Sequence, residues 1–360
     1  MLGEVVLDGL ANPRGMVVGS DGWLYVAEAG SGGDGASITG GDGATLRYGD
    51  TGAVTRYRNG VRENVAVDLP SLASDGGFGA TGAHDVAFHE GELHVVFGFG
   101  GDPNQRGALA GAHPDAALLG QVGRVSGGSV APVADIASLE LDGGPDDDAD
   151  SNPFSLVAGP DGLVVSDAGG NDIVAIGADG SVAPVAVLSP EPNPLPFGPP
   201  VYQAVPTGIA AGPDGTLAIA QLTGFPFPEG AANVFGLAPD GSLDTLAGGF
   251  TNLIDVAFGA DGSLFALETD SDSLLNPGTT GALYELFADG SRALLLDGIE
   301  SPTGLALGPE GTFYVATNGL SPTGGQVVAL NPAPAPIPLP AGLPMLAAGL
   351  AGLGLLRRRR

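Results

Sequence analysis

The chain alternates short apolar runs with short polar turns, and one phrase recurs six times. "NPRGMVVGSDGWLYVAEAG" starts at Asn12, "GAHDVAFHEGELHVVFGFG" at Gly82 and "NPFSLVAGPDGLVVSDAGG" at Asn152. "VPTGIAAGPDGTLAIAQLTG" starts at Val205, "NLIDVAFGADGSLFALETD" at Asn252 and "SPTGLALGPEGTFYVATNG" at Ser301. Each is an apolar run, a tight turn carrying an acidic residue before glycine, and a second apolar run. That order predicts a β-hairpin. A second hairpin follows in most copies, turning at Asn59-Gly60, Gly127-Gly128, Asp179-Gly180, Asp240-Gly241 and Asp289-Gly290. A unit is therefore four antiparallel strands, a to d. Repeats of this kind predict a β-propeller with loops inserted between strands.

The sixth unit supplies strands a and b, then c within Gly325–Pro332, and then turns proline-rich, which a paired strand does not tolerate. "VVLDGL" (Val5 to Leu10) matches the fourth strand of the fifth unit, "LLLDGI" (Leu294 to Ile299). The expected fold is thus an all-β, six-bladed β-propeller over residues 1–332, closed by the N-terminal strand in the last blade. Closure limits exposed strand edges.

The a–b and c–d turns are tight and share one face of the disc. The b–c and d–a segments are long and share the other. A rigid scaffold presenting long loops is where function concentrates, so the long-loop face and the channel mouth beneath it are expected to carry the site. Starts of strand a offer Arg14, His84, Asp85, Asn152, Ser155, Thr207, Asp255 and Thr303; ends of strand b offer Glu28, Asp167, Gln221, Glu268 and Asn318. From these, Arg14, Glu28, His84, Asp85, Asn152, Asp167, Gln221, Asp255, Glu268 and Asn318 form the expected ligand-binding ring. Carboxylate and amide oxygens suit a hard cation, so calcium is expected at Asp85, Asn152 and Asp255. Bonding to backbone donors at the strand ends is the other reading of each residue.

Composition narrows the chemistry. Net charge is −29, there is no lysine, and Arg357 to Arg360 supply four of the twelve basic residues, leaving −33 on the rest (−29 minus 4). Such a chain repels phosphate backbones, so no nucleic-acid partner is expected. The absence of lysine removes Schiff-base chemistry, and the absence of cysteine removes thiol catalysis and disulfides. No P-loop or GxGxxG lies between a strand and a helix, and no G-x-S-x-G elbow or zinc-spaced histidine pair occurs. "DGGPDDDADSN" (Asp142 to Asn152) lacks EF-hand spacing and reads as a solvated acidic loop.

The end of the chain is different. A proline-rich linker, residues 333–340, leads into an apolar run and four arginines at 341–360. This predicts a hydrophobic tail helix with its arginines held on the cytoplasmic side of a membrane. The order of Ile337-Pro338-Leu339-Pro340-Ala341, apolar run and arginine cluster resembles C-terminal sorting signals of the VPLPA and PEP type. That resemblance implies a membrane sorting protease of the exosortase type as partner, and a cell-envelope or extracellular location with a transient C-terminal membrane segment. No signal peptide is visible at "MLGEVVLDGL", and a truncated start is expected.

Residues 5 to 331 resemble the ScyD/ScyE family of propellers, through "ATGAHDVAF", "DSNPFSLVAGPDGLVVSDAGGND", "QAVPTGIAAGPDG", "QLTGFPFPEGAANVF" and "GFTNLIDVAFGADGSL". The family is named for association with pigment synthesis, and the resemblance implies an accessory role in secondary metabolism. A wider resemblance is to NHL-type propellers and calcium-dependent gluconolactonases. It implies either a non-catalytic, exported propeller binding a small molecule or envelope component, or a metal-dependent lactonase-like hydrolase.

Overall fold

A computed structural model describes residues 3–331 apart from 142–143, 145–148, 160, 277 and 279. The expected linker and tail helix (333–360) lie outside the described residues, as does part of the acidic loop. Among the described residues, no helix is long and apolar enough to cross a membrane.

Six four-stranded antiparallel sheets form the body, one of them extended by a short fifth strand. Their inner strands a are Pro13–Val18, Ala83–His89, Pro153–Gly159, Pro206–Ala211, Asn252–Phe258 and Gly304–Leu307, for blades one to six. Each touches the next, and blade six touches blade one, so the ring is closed. Glu4–Leu10 is the outer strand of blade six, with Val5 opposite Val328 and Leu7 opposite Val327. The expected closure by the N-terminal strand is therefore present.

The turns show why the sequence folds this way. Asp214 and Asp261 each accept the backbone N–H two residues on, at 3.0 Å from Thr216 and 3.1 Å from Ser263. Glycines 215 and 262 follow at a φ of 85°, a conformation that only glycine adopts without strain. Apolar side chains then alternate onto both faces of each blade, and every junction between neighbours holds one core. Val54, Leu69, Val86 and Phe97 fill the junction of blades one and two. Leu7, Leu10, Met16 and Val327 fill that of six and one. A propeller core is thus six inter-blade cores around a central channel.

Two expected loops carry structure of their own. In blade one, strand c begins early, at Thr45, and pairs with Ser37–Thr39, so the b–c segment folds as an outward extension of the blade. In blade two, the b–c segment holds the helix Arg106–Ala112. Arg106 anchors that helix on Asp135, with nitrogen–oxygen distances of 2.8 and 2.6 Å.

Candidate functional site

Along the inner strands, equivalent positions stack in layers around the channel. The first layer is Arg14, His84, Phe154, Thr207, Ile254 and Thr303. Its polar members tie blades together. His84 Nδ1 lies 3.1 Å from the Pro153 carbonyl, Thr207 donates to Leu253 O at 3.1 Å, and Thr303 donates to Pro13 O at 2.6 Å. These bonds join blade two to three, four to five, and six to one. Buried Arg14 reaches outward to Ala80 O at 2.7 Å and Gly319 O at 3.0 Å. Burial, reinforced by the charge of Arg14, pushes His84 down to about 3, so its ring is neutral and Nδ1 carries the proton donated to Pro153.

The second layer is Gly15, Asp85, Ser155, Gly208, Asp255 and Gly304. Asp85 and Asp255 occupy blades two and five, which are three positions apart in a ring of six and so face each other. Asp85 accepts from Val86 N–H at 2.7 Å, the Ser155 hydroxyl at 2.7 Å and Leu156 N–H at 2.9 Å. Asp255 accepts from Val256 N–H at 2.8 Å and Leu305 N–H at 2.7 Å. Ser155 in turn accepts from Ile209 N–H at 3.3 Å. Inner strands have one unpaired edge, and these side chains satisfy its amides across blade junctions.

Glycines make the room. A Cβ on Gly15 would stand 2.0 Å from Asp85 Oδ1, and one on Gly208 would stand 2.3 Å from Asp255 Oδ1. The column "G, D, S, G, D, G" read down the six repeats was the signal for this layer. Its glycines were missing from the expected site because a glycine at a strand start reads first as a turn residue.

Below this layer the channel widens into a chamber of about 700 Å³. Asp85, Ser155 and Asp255 form its floor, and Met16, Leu156, Ile209 and Val256 stand among its apolar walls. Ser20, Asp21 and Gly91, from the a–b turns of blades one and two, border its mouth. The chamber therefore opens on the short-turn face, opposite the long-loop face expected to carry the site. The first layer blocks the other way: Arg14, His84, Thr207 and Thr303 are all buried there.

Burial, opposed by its three hydrogen bonds, raises the Asp85 carboxyl to about 6. Burial, and then the charge of Asp85, raise Asp255 well above the ordinary carboxylate range. Asp255 is only partly covered, because its carboxyl borders the chamber, whereas Asp85 is 8% exposed.

The other expected ring members stand elsewhere. Glu28 accepts from Ala11 N–H at 2.9 Å, Asp167 from Asn152 N–H at 2.6 Å, and Glu268 from Thr251 N–H at 2.8 Å. Gln221 accepts from Asn233 N–H at 3.1 Å, and Asn318 donates to Gly324 O at 2.8 Å. All five hold backbone groups near the ends of strand b and none borders the chamber. Asn152 accepts from the Thr81 hydroxyl at 3.2 Å and also stands off the chamber wall, where Ser155 takes the place beside Asp85. Asp85, Asn152 and Asp255 therefore do not form one ligand set. Among the described residues, no three acidic, histidine or cysteine side chains are grouped to hold a metal ion. A six- to eight-oxygen calcium shell is not assembled by the expected trio.

No family model matches the sequence, and no curated protein does. Solved structures do match. A gluconolactonase from Xanthomonas campestris aligns at a TM-score of 0.54 and 12% identity, over 90% of this chain and 88% of that one. A second protein, described as a candidate gluconolactonase, aligns at 0.52 and 15%, over 91% of each chain. The PQQ-bound aldose sugar dehydrogenase of Streptomyces coelicolor aligns at 0.53 and 15%, over 91% of this chain and 96% of that one. At such identities the likeness shows the fold alone, a six-bladed β-propeller.

Proposed function

We propose that this propeller acts on a small molecule in its central chamber, as a hydrolase of the lactonase kind. The observation that carries the reading is the floor: two carboxyl groups face each other at the closed end of the channel chamber. A chamber of about 700 Å³ is of the size that small-ligand sites have. Solved gluconolactonases sharing the fold favour lactone chemistry over a purely adhesive role.

Asp85 is the base in this reading. A carboxyl raised to about 6 is ionised at neutral pH yet basic enough to take a proton. Water attacks the lactone carbonyl carbon and gives one proton to Asp85. The tetrahedral centre then collapses, the ring C–O bond breaks, and the departing oxygen takes that proton back. The product is the open hydroxy acid, and Asp85 ends as it began. Ser155 is a positioning residue, because its hydroxyl holds Asp85 Oδ2 at 2.7 Å. Calcium enters no step here.

Turnover of a panel of five- and six-membered lactones tests the proposal. The expected result is hydrolysis that rises through pH 6 and falls at least a hundredfold in Asp85→Asn. A folded wild-type protein that opens none of the panel, or an Asp85→Asn variant as active as wild type, would refute it.

The resemblances in the sequence favour a site of action outside the cytoplasm. We therefore propose an exported member of the ScyD/ScyE kind, serving secondary metabolism and sorted by its tail through an exosortase-type protease. Fractionating cells that make the chain with and without residues 337–360 tests the sorting; an unchanged location refutes it.

A further inference from the structure

We infer that the chamber selects an organic cation: a protonated amine on an apolar body, entering by the short-turn face and setting its charge against Asp255. The inference rests on the chamber being the working site and names the class of molecule that fits it.

The first argument is the hydrogen-bond inventory of the floor. An ionised carboxylate has about four acceptor positions. Three donors already occupy Asp85, while two occupy Asp255. Roughly two positions on Asp255 thus stay open toward the chamber. With Asp255 ionised, nothing on the floor offers a donor in return. The Ser155 hydroxyl already gives its proton to Asp85, and the amides of Val86, Leu156, Val256 and Leu305 are spent on the two carboxylates. A ligand must therefore bring its own donors, and an ammonium brings three.

The second argument is charge. Five ion pairs occur among the described residues, and none involves Asp85 or Asp255. Arg14, in the neighbouring layer, is turned outward to Ala80 and Gly319. A buried carboxylate without a partner cation is costly, and a bound cation relieves that cost. An anionic ligand would add to it.

The third argument is the approach. Every a–b turn on the mouth's face carries an acidic residue: Asp21, Glu90, Asp161, Asp214, Asp261 and Glu310. The slight burial of Asp21 is outweighed by hydrogen bonds from Trp23 and Tyr25, which hold it below the ordinary carboxylate range. Hydrogen bonds from Thr216 and Ser263 do the same for Asp214 and Asp261, so all three stay ionised. An acidic side chain on each of the six turns around the mouth draws in cations and turns away anions.

The walls then leave room for an apolar body. Aliphatic side chains of the inner strands, with Phe88 and Phe258, line the chamber beside its polar groups.

Calorimetric titration with hexylammonium, against hexanol as the uncharged match, tests the proposal. The amine is expected to bind at least tenfold tighter than the alcohol at pH 8. Its affinity should fall at least tenfold in Asp255→Asn and decline on acidification, as Asp255 takes up its proton. Because Asp255→Asn disturbs two backbone amides, Ala211→Trp provides a second arm: it fills the chamber wall, leaves both carboxylates in place, and should abolish binding. Equal affinity for amine and alcohol in the wild type would overturn the proposal. So would amine binding that survives Ala211→Trp in a folded variant. The lactone panel separates the two readings: amine binding without lactone opening leaves the cation site standing and removes the hydrolase. Neutral lactones opened by a protein that ignores amines would do the reverse.

Discussion

Replacing Asp85 with asparagine should flatten a pH dependence of stability in the wild-type protein. Asp85 ordinarily titrates at 3.8 and is raised to about 6 in the fold. The folded protein therefore keeps this proton over a range where the unfolded chain has lost it. Between these values the native state binds more protons, so stability falls as pH rises. The difference, 6 minus 3.8, is about two units, and at 1.36 kcal/mol per unit the loss approaches about 3 kcal/mol by pH 7. Asparagine imitates the protonated acid, with one acceptor oxygen and one donor group, and has no proton to lose. Urea unfolding of both proteins from pH 4 to pH 7.5 measures the effect. The two should be close near pH 4, with the variant gaining on the wild type by about 2–3 kcal/mol at pH 7. A gap that stays constant across this range would show that Asp85 is not the buried titrating group argued for above.

Three further outcomes follow from the packing. Gly15→Ala and Gly208→Ala should each cost about 1–3 kcal/mol, because the new Cβ would overlap Asp85 or Asp255; Gly107→Ala, with open space around it in a helix, should be neutral or stabilising in the same denaturant series. Leu10→Ala should cost about 2–5 kcal/mol, since Leu10 is wholly buried in the core that seals blade six to blade one. Ser155→Ala, if Ser155 positions the base, should lower kcat with little change in KM and move the pH midpoint of lactone turnover upward, because Asp85 loses a donor that favours its ionised form.

The blades were legible because their signals are local. An aspartate that accepts the N–H two residues on, followed by a glycine of positive φ, needs only four residues to make its turn. Closure was legible as well, since Val5–Leu10 repeats the pattern of a strand the sixth unit lacks. The face on which the channel opens was not. Long loops pointed to one rim, but which end stays open is decided by what fills the channel beneath them. That filling depends on contacts between residues a whole blade apart, such as His84 with Pro153 or Thr303 with Pro13. The polar strand ends misled for the same reason. Glu28, Asp167 and Glu268 stand where a ring would have them, yet their oxygens are taken by amides of loops that fold back over them. Asp85 and Asp255 could be picked out as residues; their opposition across the channel required the blade count, and the space beneath them required the three glycines.

Pairing Leu7 with Val327 also sets the order in which this molecule can be made. A ribosome must deliver some 320 further residues before Leu7 has its strand partner, and contacts so distant in sequence form slowly. Until then the early strand and the flank of the first blade stand uncovered in the nascent chain. Whatever shields them during that wait, a chaperone or speed alone, governs how much finished protein a cell obtains.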